Sequence, residues 1–224
     1  KYIQKRIEGF SAAAIIGKKE FMGLTLKVNE QVLIPRPDTE TWLEKVIQYY
    51  RNETGLKVAD LGTGSGAILV GFLYYCRDAV GVGVDISTEA LKIAEENGQN
   101  LKITDRVEWR QGDYLKAFDE EDIFDGIFSN PPYIPTKDIG GLSREVKHEP
   151  RLALDGGTDG LYFYHLLAKG AAEHLKPGGF LAVEFGIGQA TDILEMFRKS
   201  AQYEDFEVIK DYGGIERALY CRKK

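Results

Sequence analysis

The run Ser129-Asn130-Pro131-Pro132-Tyr133 carries the most specific chemistry in this chain. Two consecutive prolines remove two backbone donors and fix φ, so the chain turns a rigid corner there. A rigid corner can hold side chains to a demanding geometry. Asn130 offers a side-chain carbonyl and the Pro131 region a main-chain one. Together they can accept both hydrogens of a planar NH₂ group, and Tyr133 can stack on it. The nitrogen of an amide or aromatic amine is a poor nucleophile because its lone pair is delocalised. Two acceptors can localise that lone pair and aim it. Asn130, Pro131 and Tyr133 are therefore the candidate catalytic residues, and Asn130, Pro131, Pro132 and Tyr133 the candidate substrate holders.

A second constellation lies upstream, in Asp60-Leu61-Gly62-Thr63-Gly64-Ser65-Gly66. Glycines let backbone approach a ligand closely and adopt positive φ. Gly62, Gly64 and Ala67 also satisfy a dinucleotide fingerprint, so the loop alone leaves the ligand open. Asp85, after Val82-Gly83-Val84, can accept from both hydroxyls of an adenosine ribose, which nicotinamide cofactors and S-adenosylmethionine share. Asp60 separates the two. An acid directly before the loop repels a pyrophosphate, whereas it suits the cationic methionine end of S-adenosylmethionine. Asp113, in Gln111-Gly112-Asp113-Tyr114, can accept from an adenine amino group while Tyr114 flanks the ring. A Gly-Asp turn with a core tyrosine fits that stretch as well.

These residues need elements to place them. Alternating apolar positions from Glu20 to Ile34, interrupted at Gly23 and Asn29-Glu30, predict a hairpin. Pro35-Arg36-Pro37-Asp38 breaks the chain, and Asp38 or Thr39 is expected to cap a helix striped by Trp42, Leu43, Val46, Ile47 and Tyr50. Strands are then expected at 57–60, 80–85, 107–110, 123–129, 180–185, 206–210 and 218–221. Helices are expected at 65–76, at 87–100 with Ser87 as cap, at 158–175, and around Ala190 to Phe197. Pro177-Gly178-Gly179 reads as a turn. Such alternation builds a mostly parallel seven-stranded sheet with helices on both faces, and the last two strands form an antiparallel edge hairpin. Residues 1–19 show no clean period. The glycine loop, Asp85 and Asn130 all follow strand ends, where open α/β sheets bind ligands.

Composition narrows the classes. The 224 residues fit one domain with an appendage, and 29 Lys plus Arg against 35 Asp plus Glu gives a net charge of −6. An acidic chain lacks the electrostatic footprint of a dedicated nucleic-acid binder. Cys76 and Cys221 are too few for a disulfide framework and read as reduced thiols, pointing to the cytoplasm. The apolar run Ala67 to Cys76 is too short to span a membrane. His148, His165 and His174 share no ligand spacing, so no metal is expected. Asp119-Glu120-Glu121-Asp122 reads as a solvated charge run.

Three blocks together resemble the HemK family of peptide-chain release factor glutamine methyltransferases: Val32-Leu33-Ile34-Pro35-Arg36-Pro37-Asp38-Thr39-Glu40, the Asn-Pro-Pro-Tyr corner, and Glu149-Pro150-Arg151-Leu152-Ala153-Leu154-Asp155-Gly156-Gly157. The resemblance runs from about Gly17 to the C-terminus. It implies a Rossmann-like class I methyltransferase fold and N5-methylation of the glutamine in a release factor's Gly-Gly-Gln loop. Carried onto this sequence, Gly62, Thr63, Gly64, Ser65, Gly66, Asp85 and Tyr114 would line the S-adenosylmethionine pocket, which would release S-adenosylhomocysteine. Asn130 would also lie near the cofactor methyl. Arg36 and Arg151 could orient loops by ion pairing. The resemblance divides the chain into residues 1–37, a segment with a hairpin linker, and residues 38–224, the methyltransferase domain. Family members carry a helical domain before the hairpin. Because the chain opens on Lys1, it is expected to be cut from a larger protein. The alternative is methylation of adenine or another exocyclic amine on nucleic acid, which the negative charge disfavours. An inactive cofactor-binding module fits poorly with an intact Asn130–Tyr133 corner. A nicotinamide oxidoreductase fits poorly with the lack of proton-relay residues.

Overall fold

A computed structural model describes residues 2–224. The unperiodic N-terminal stretch folds as two short helices, α1 (Tyr2–Glu8) and α2 (Ala12–Ile16). Arg6 of α1 pairs with Glu145 at 2.7 Å, and Phe10 stacks on His148. The hairpin is β1 (Lys18–Phe21) and β2 (Leu24–Lys27), with Phe21, Leu24 and Leu26 buried. Its turn falls at Gly23, where the pattern is interrupted, but pairing stops at Lys27: the stretch to Ile34, expected as strand, is irregular, and its apolar residues Val28, Val32 and Ile34 are buried without a partner strand among the described residues.

Next comes α3 (Pro37–Tyr50), followed by β3 (Lys57–Leu61), α4 (Ala67–Tyr75), β4 (Val80–Asp85), α5 (Thr88–Asn100), β5 (Val107–Gln111) and β6 (Phe124–Ser129). After a long connection of short 3₁₀ turns come α6 (Tyr162–Gly170), β7 (Leu175–Glu184), α7 (Ala190–Lys199), β8 (Tyr203–Lys210) and β9 (Glu216–Lys223). The seven-stranded sheet has the order β5-β4-β3-β6-β7-β9-β8. Only β9 runs against its neighbours, so the expected mostly parallel sheet with an antiparallel edge hairpin is observed.

Successive strand residues point to opposite faces, and the core divides accordingly. Val58, Phe128, Phe180 and Ala182 join Trp42 and Phe72 of α3 and α4 on one face. Ala59, Ile127, Leu181 and Val183 join Leu167 and Phe197 of α6 and α7 on the other. Strands covered on both sides become continuous apolar runs. The carboxyl ends of β3, β4, β6 and β7 therefore emerge together at one edge.

Four further local expectations are corrected. Neither Asp38 nor Thr39 caps α3: Pro37 takes the first helical position after extended Arg36. Asp38 instead pairs with Arg217, and Thr39 bonds to Glu184. The helix expected from Thr158 begins only at Tyr162, because Asp159 accepts from the Leu161 amide and Gly160 is left-handed. It ends at Gly170, and a 3₁₀ turn leads into β7. Pro177-Gly178-Gly179 is not a free turn but an irregularity within β7, where the register with β6 shifts. The acidic run is not wholly solvated: Asp122 is buried and takes Arg110 and Lys57 as ion-pair partners.

Candidate active site

A cavity of about 200 Å³ opens at the carboxyl edge of the sheet. Gly62 and Gly64 of the first loop line it, together with Asp85, Gly112, Tyr114, Asn130 and Pro132. Four strand ends supply these residues, and strand order alone makes them neighbours: β3 lies between β4 and β6.

The glycine loop is folded back on β4. The amides of Gly62 and Thr63 both donate to the Val84 carbonyl at 2.9 Å. Gly62 has φ +73°, and a Cβ there would lie 2.9 Å from the Tyr114 hydroxyl, so only glycine allows that approach. Gly66, also left-handed, starts α4, which is why the helix begins at Ala67 rather than Ser65. Ser65 and Thr63 are both buried. The Ser65 carbonyl accepts from the amide of buried Asn97 at 2.9 Å. Asn97 also exchanges two hydrogen bonds with the Lys27 backbone, so it ties hairpin, glycine loop and α5 together. The spacing Ala90, Ile93, Ala94, Asn97 places Asn97 on the buried stripe of α5, and a polar residue on that stripe is the signal that could have found it.

Asp85 accepts from the Gly64 amide at 2.8 Å and the Ser87 amide at 2.9 Å. Burial raises its carboxyl above the ordinary range, and those amides oppose the rise. A carboxylate has about four acceptor sites, so two amides leave capacity for a ligand's hydroxyls. Ser87 caps α5 by accepting from the Ala90 amide, as expected.

Asp60 is fully buried behind the loop. Its Oδ2 accepts from the Thr63 hydroxyl at 2.6 Å. Its Oδ1 has no partner, the only such buried side-chain atom among the described residues. Burial pushes its carboxyl up to about 7, the Thr63 hydrogen bond holds it down, and the nearby Asp85 charge adds to the rise.

Asp113 and Tyr114 part company. Asp113 turns outward to Lys116 at 2.5 Å and does not line the cavity, whereas Gly112 and Tyr114 do. The left-handed backbone at Tyr114, φ +51°, separates the directions of the two side chains. The Tyr114 ring stacks on Phe163 at 4.5 Å. Burial raises its hydroxyl far above the ordinary tyrosine value.

At the Asn-Pro-Pro-Tyr corner, Pro131 and Pro132 are buried and Asn130 is half-buried. Tyr133 does not line the cavity. Its ring lies against Gly186, and its carbonyl accepts from Gln189 at 3.0 Å. Burial pushes its hydroxyl up to about 12, with the Glu184 charge adding to the rise. The corner continues into Ile134, which bridges to Asp155 and exchanges backbone bonds with Leu154 and Gly156.

The outer wall of the cavity was not foreseen. It comes from Gln31–Leu33 and from Pro150, Leu152 and Ala153, segments more than a hundred residues apart. Arg36 holds them together, with Nη2 at 2.7 and 2.8 Å from the two carboxylate oxygens of buried Glu149. Glu149 also accepts from the Ile34 amide. Arg36 thus orients a loop by ion pairing. Arg151 makes only an exposed pair with Asp155.

A family model described as a methyltransferase domain matches residues 52–184. The release factor glutamine methyltransferase of Bradyrhizobium diazoefficiens is 44% identical over all of this chain and 76% of its own length. That of Moorella thermoacetica is 40% identical over 99% of this chain and 78% of its own. Among solved structures, a methyltransferase from Pyrococcus furiosus superposes with a TM-score of 0.65 at 22% identity, covering 99% of this chain and 98% of that one. An RNA methyltransferase from Salinibacter ruber in complex with S-adenosyl-L-homocysteine superposes at 0.54 and 17% identity, over 85% of this chain and 94% of that one. The two solved structures share the Rossmann-like class I fold, and identity over nearly the whole chain places this protein in the release factor glutamine methyltransferase family.

Proposed function

We propose that this chain transfers a methyl group from S-adenosylmethionine to the side-chain amide nitrogen of the glutamine in a release factor's Gly-Gly-Gln loop. The observation that carries this is that Asn130 shares one cavity with the glycine loop and Asp85. The donor set fits the cofactor. Among the described residues Asp85 is the single charged one lining the cavity, and the unpartnered oxygen of Asp60 lies behind the loop. An acidic surround without Lys or Arg favours a ligand carrying ammonium and sulfonium and disfavours a pyrophosphate.

Asp60, Gly62, Thr63, Gly64, Ser65, Gly66, Asp85 and Tyr114 would hold the cofactor, with Asn130 at its reactive end. Asp85 would take ribose hydroxyls, and Tyr114 would flank the adenine. Asp113 is left out of that set, because its carboxylate is spent on Lys116. When bound, S-adenosylmethionine supplies a methyl group already activated by the sulfonium charge. The chain's own residues then have mainly to position and polarise. Asn130 Oδ1 and the Pro131 carbonyl accept the two amide hydrogens of the substrate glutamine. Holding both draws the nitrogen lone pair out of conjugation and aims it. The buried prolines keep the two acceptors in fixed relation. Tyr133 supports the corner from behind through its contact with Gly186.

Residues 38–224 carry the transferase domain, and residues 1–37 serve it as a hairpin-bearing segment. Among the described residues no helix is long and apolar enough to cross a membrane. A release factor substrate puts the enzyme in the cytoplasm. The test incubates the chain with methyl-labelled S-adenosylmethionine and a release factor, the same factor with Gln→Ala in its Gly-Gly-Gln loop, or DNA. Label on the intact factor alone is expected. Label on DNA alone sinks the proposal.

A further inference from the structure

Glu184, at the carboxyl end of β7, is 2% exposed and has no role in the chemistry above. Its Oε2 accepts two hydrogen bonds, from Thr39 Oγ1 at 2.6 Å and from Trp42 Nε1 at 2.8 Å. Burial raises the Glu184 carboxyl, while the Thr39 and Trp42 hydrogen bonds, both donated to Oε2, favour its ionised, accepting form. The Thr39 hydroxyl has one hydrogen, and the short contact to the carboxylate uses it. Toward every other neighbour Thr39 Oγ1 presents lone pairs only. That neighbour is Asn130, whose Nδ2 donates to Thr39 Oγ1 at 3.5 Å, the long end of the range.

We infer that Thr39, oriented by Glu184, is a positioning residue that fixes which way the Asn130 side-chain amide faces. The inference rests on the reading that Asn130 holds a substrate NH₂ group. An asparagine amide is nearly symmetric in shape, and rotation by half a turn exchanges an acceptor for a donor. In the flipped state Asn130 would present its own NH₂ to the substrate NH₂, donor against donor. A hydroxyl that can only accept at this position forbids that state. With Nδ2 committed to Thr39, Oδ1 is the end left to receive the substrate. The three groups come from the first turn of α3, the end of β6 and the end of β7. Parallel pairing of Ser129 with Val183 puts Asn130 and Glu184 side by side. Tyr164 steadies the last partner by donating to the Glu184 main-chain carbonyl at 2.8 Å. The device selects for substrates that offer hydrogens at the reacting nitrogen.

The test compares Thr39→Val, which keeps the shape and removes the oxygen, with Thr39→Ser, which restores it. Thr39→Val should lower kcat for release-factor methylation roughly tenfold to a hundredfold. The KM values should stay within about twofold and Thr39→Ser should recover most of the rate, a pattern that mere loss of fold does not produce. S-adenosylhomocysteine binding by calorimetry shows that the variant cavity is intact. A second readout needs no turnover. In ¹⁵N–¹H spectra of the free protein, the Asn130 side-chain amide pair is assigned by its loss in Asn130→Asp. It should move in Thr39→Val and return in Thr39→Ser. An Asn130 pair that does not move in Thr39→Val overturns the positioning role, as does a Thr39→Val enzyme with wild-type kcat. A wild-type chain that leaves release factor unlabelled while the Asn130 pair responds overturns the substrate reading instead.

Discussion

Asp60→Asn should make the free protein more stable at mildly alkaline pH and less dependent on pH. Asp60 is fully buried, its carboxyl is pushed up to about 7, and one oxygen has no partner. A carboxyl titrating there when folded and near 3.8 when unfolded stabilises the native state fully below pH 3.8. That contribution fades as pH rises and is gone above 7. The whole span corresponds to about 4 kcal/mol, and the part between pH 5 and pH 8 to about 2–3 kcal/mol. Asparagine keeps an oxygen for the Thr63 hydroxyl and carries no charge to desolvate. The assay is urea unfolding of both proteins without cofactor at pH 5, 6, 7 and 8. Stability of the wild type minus that of the variant should fall by about 2–3 kcal/mol over this range, most of it below pH 7. Subtraction removes the carboxylates common to both. A difference that stays flat would refute the idea that Asp60 is a strained buried acid held for the ligand. The same variant should bind the cationic cofactor more weakly at neutral pH, so the position trades stability for affinity.

Asn130→Ala should cut kcat by about a hundredfold or more and change S-adenosylhomocysteine affinity by less than about threefold, measured by single-turnover assay and calorimetry. Asp85→Ala removes the acceptor for the Gly64 and Ser87 amides as well as for the ligand. It should weaken cofactor binding by about tenfold or more in calorimetry, and unchanged affinity would remove the ribose assignment. Arg36→Met leaves Glu149 buried and unpaired. Because Arg36 is about a third exposed, a loss near 2 kcal/mol is expected, below the range for fully buried pairs. Scanning calorimetry should show a Tm drop of about 4–8 °C, partly restored by adding Glu149→Met.

Much of this protein was legible in order along the chain because the physics involved is local. The boundaries of β4 follow from an apolar run between turn residues, and Ser87 caps α5 because its hydroxyl reaches an amide three residues on. The glycine loop and the double-proline corner announce themselves, since backbone freedom and its loss belong to residue type. The strand and helix alternation sufficed for the sheet and its antiparallel edge. Local signals erred where a side chain found a better distant partner. Thr39 looks like a helix cap and bonds instead to Glu184, 145 residues away. Asp122 looks solvated and is buried against Arg110 and Lys57.

Sequence alone therefore determined the fold class, the loop that approaches the ligand and the corner that can hold an NH₂ group. Tertiary structure alone decided that Tyr114 rather than Asp113 faces the cavity, that Arg36 and Glu149 hold the outer wall together, and that Thr39 stands behind Asn130. The reason is range. Backbone preferences act over a few residues, whereas the direction of a side chain and the state of a buried acid depend on what strand order brings beside them.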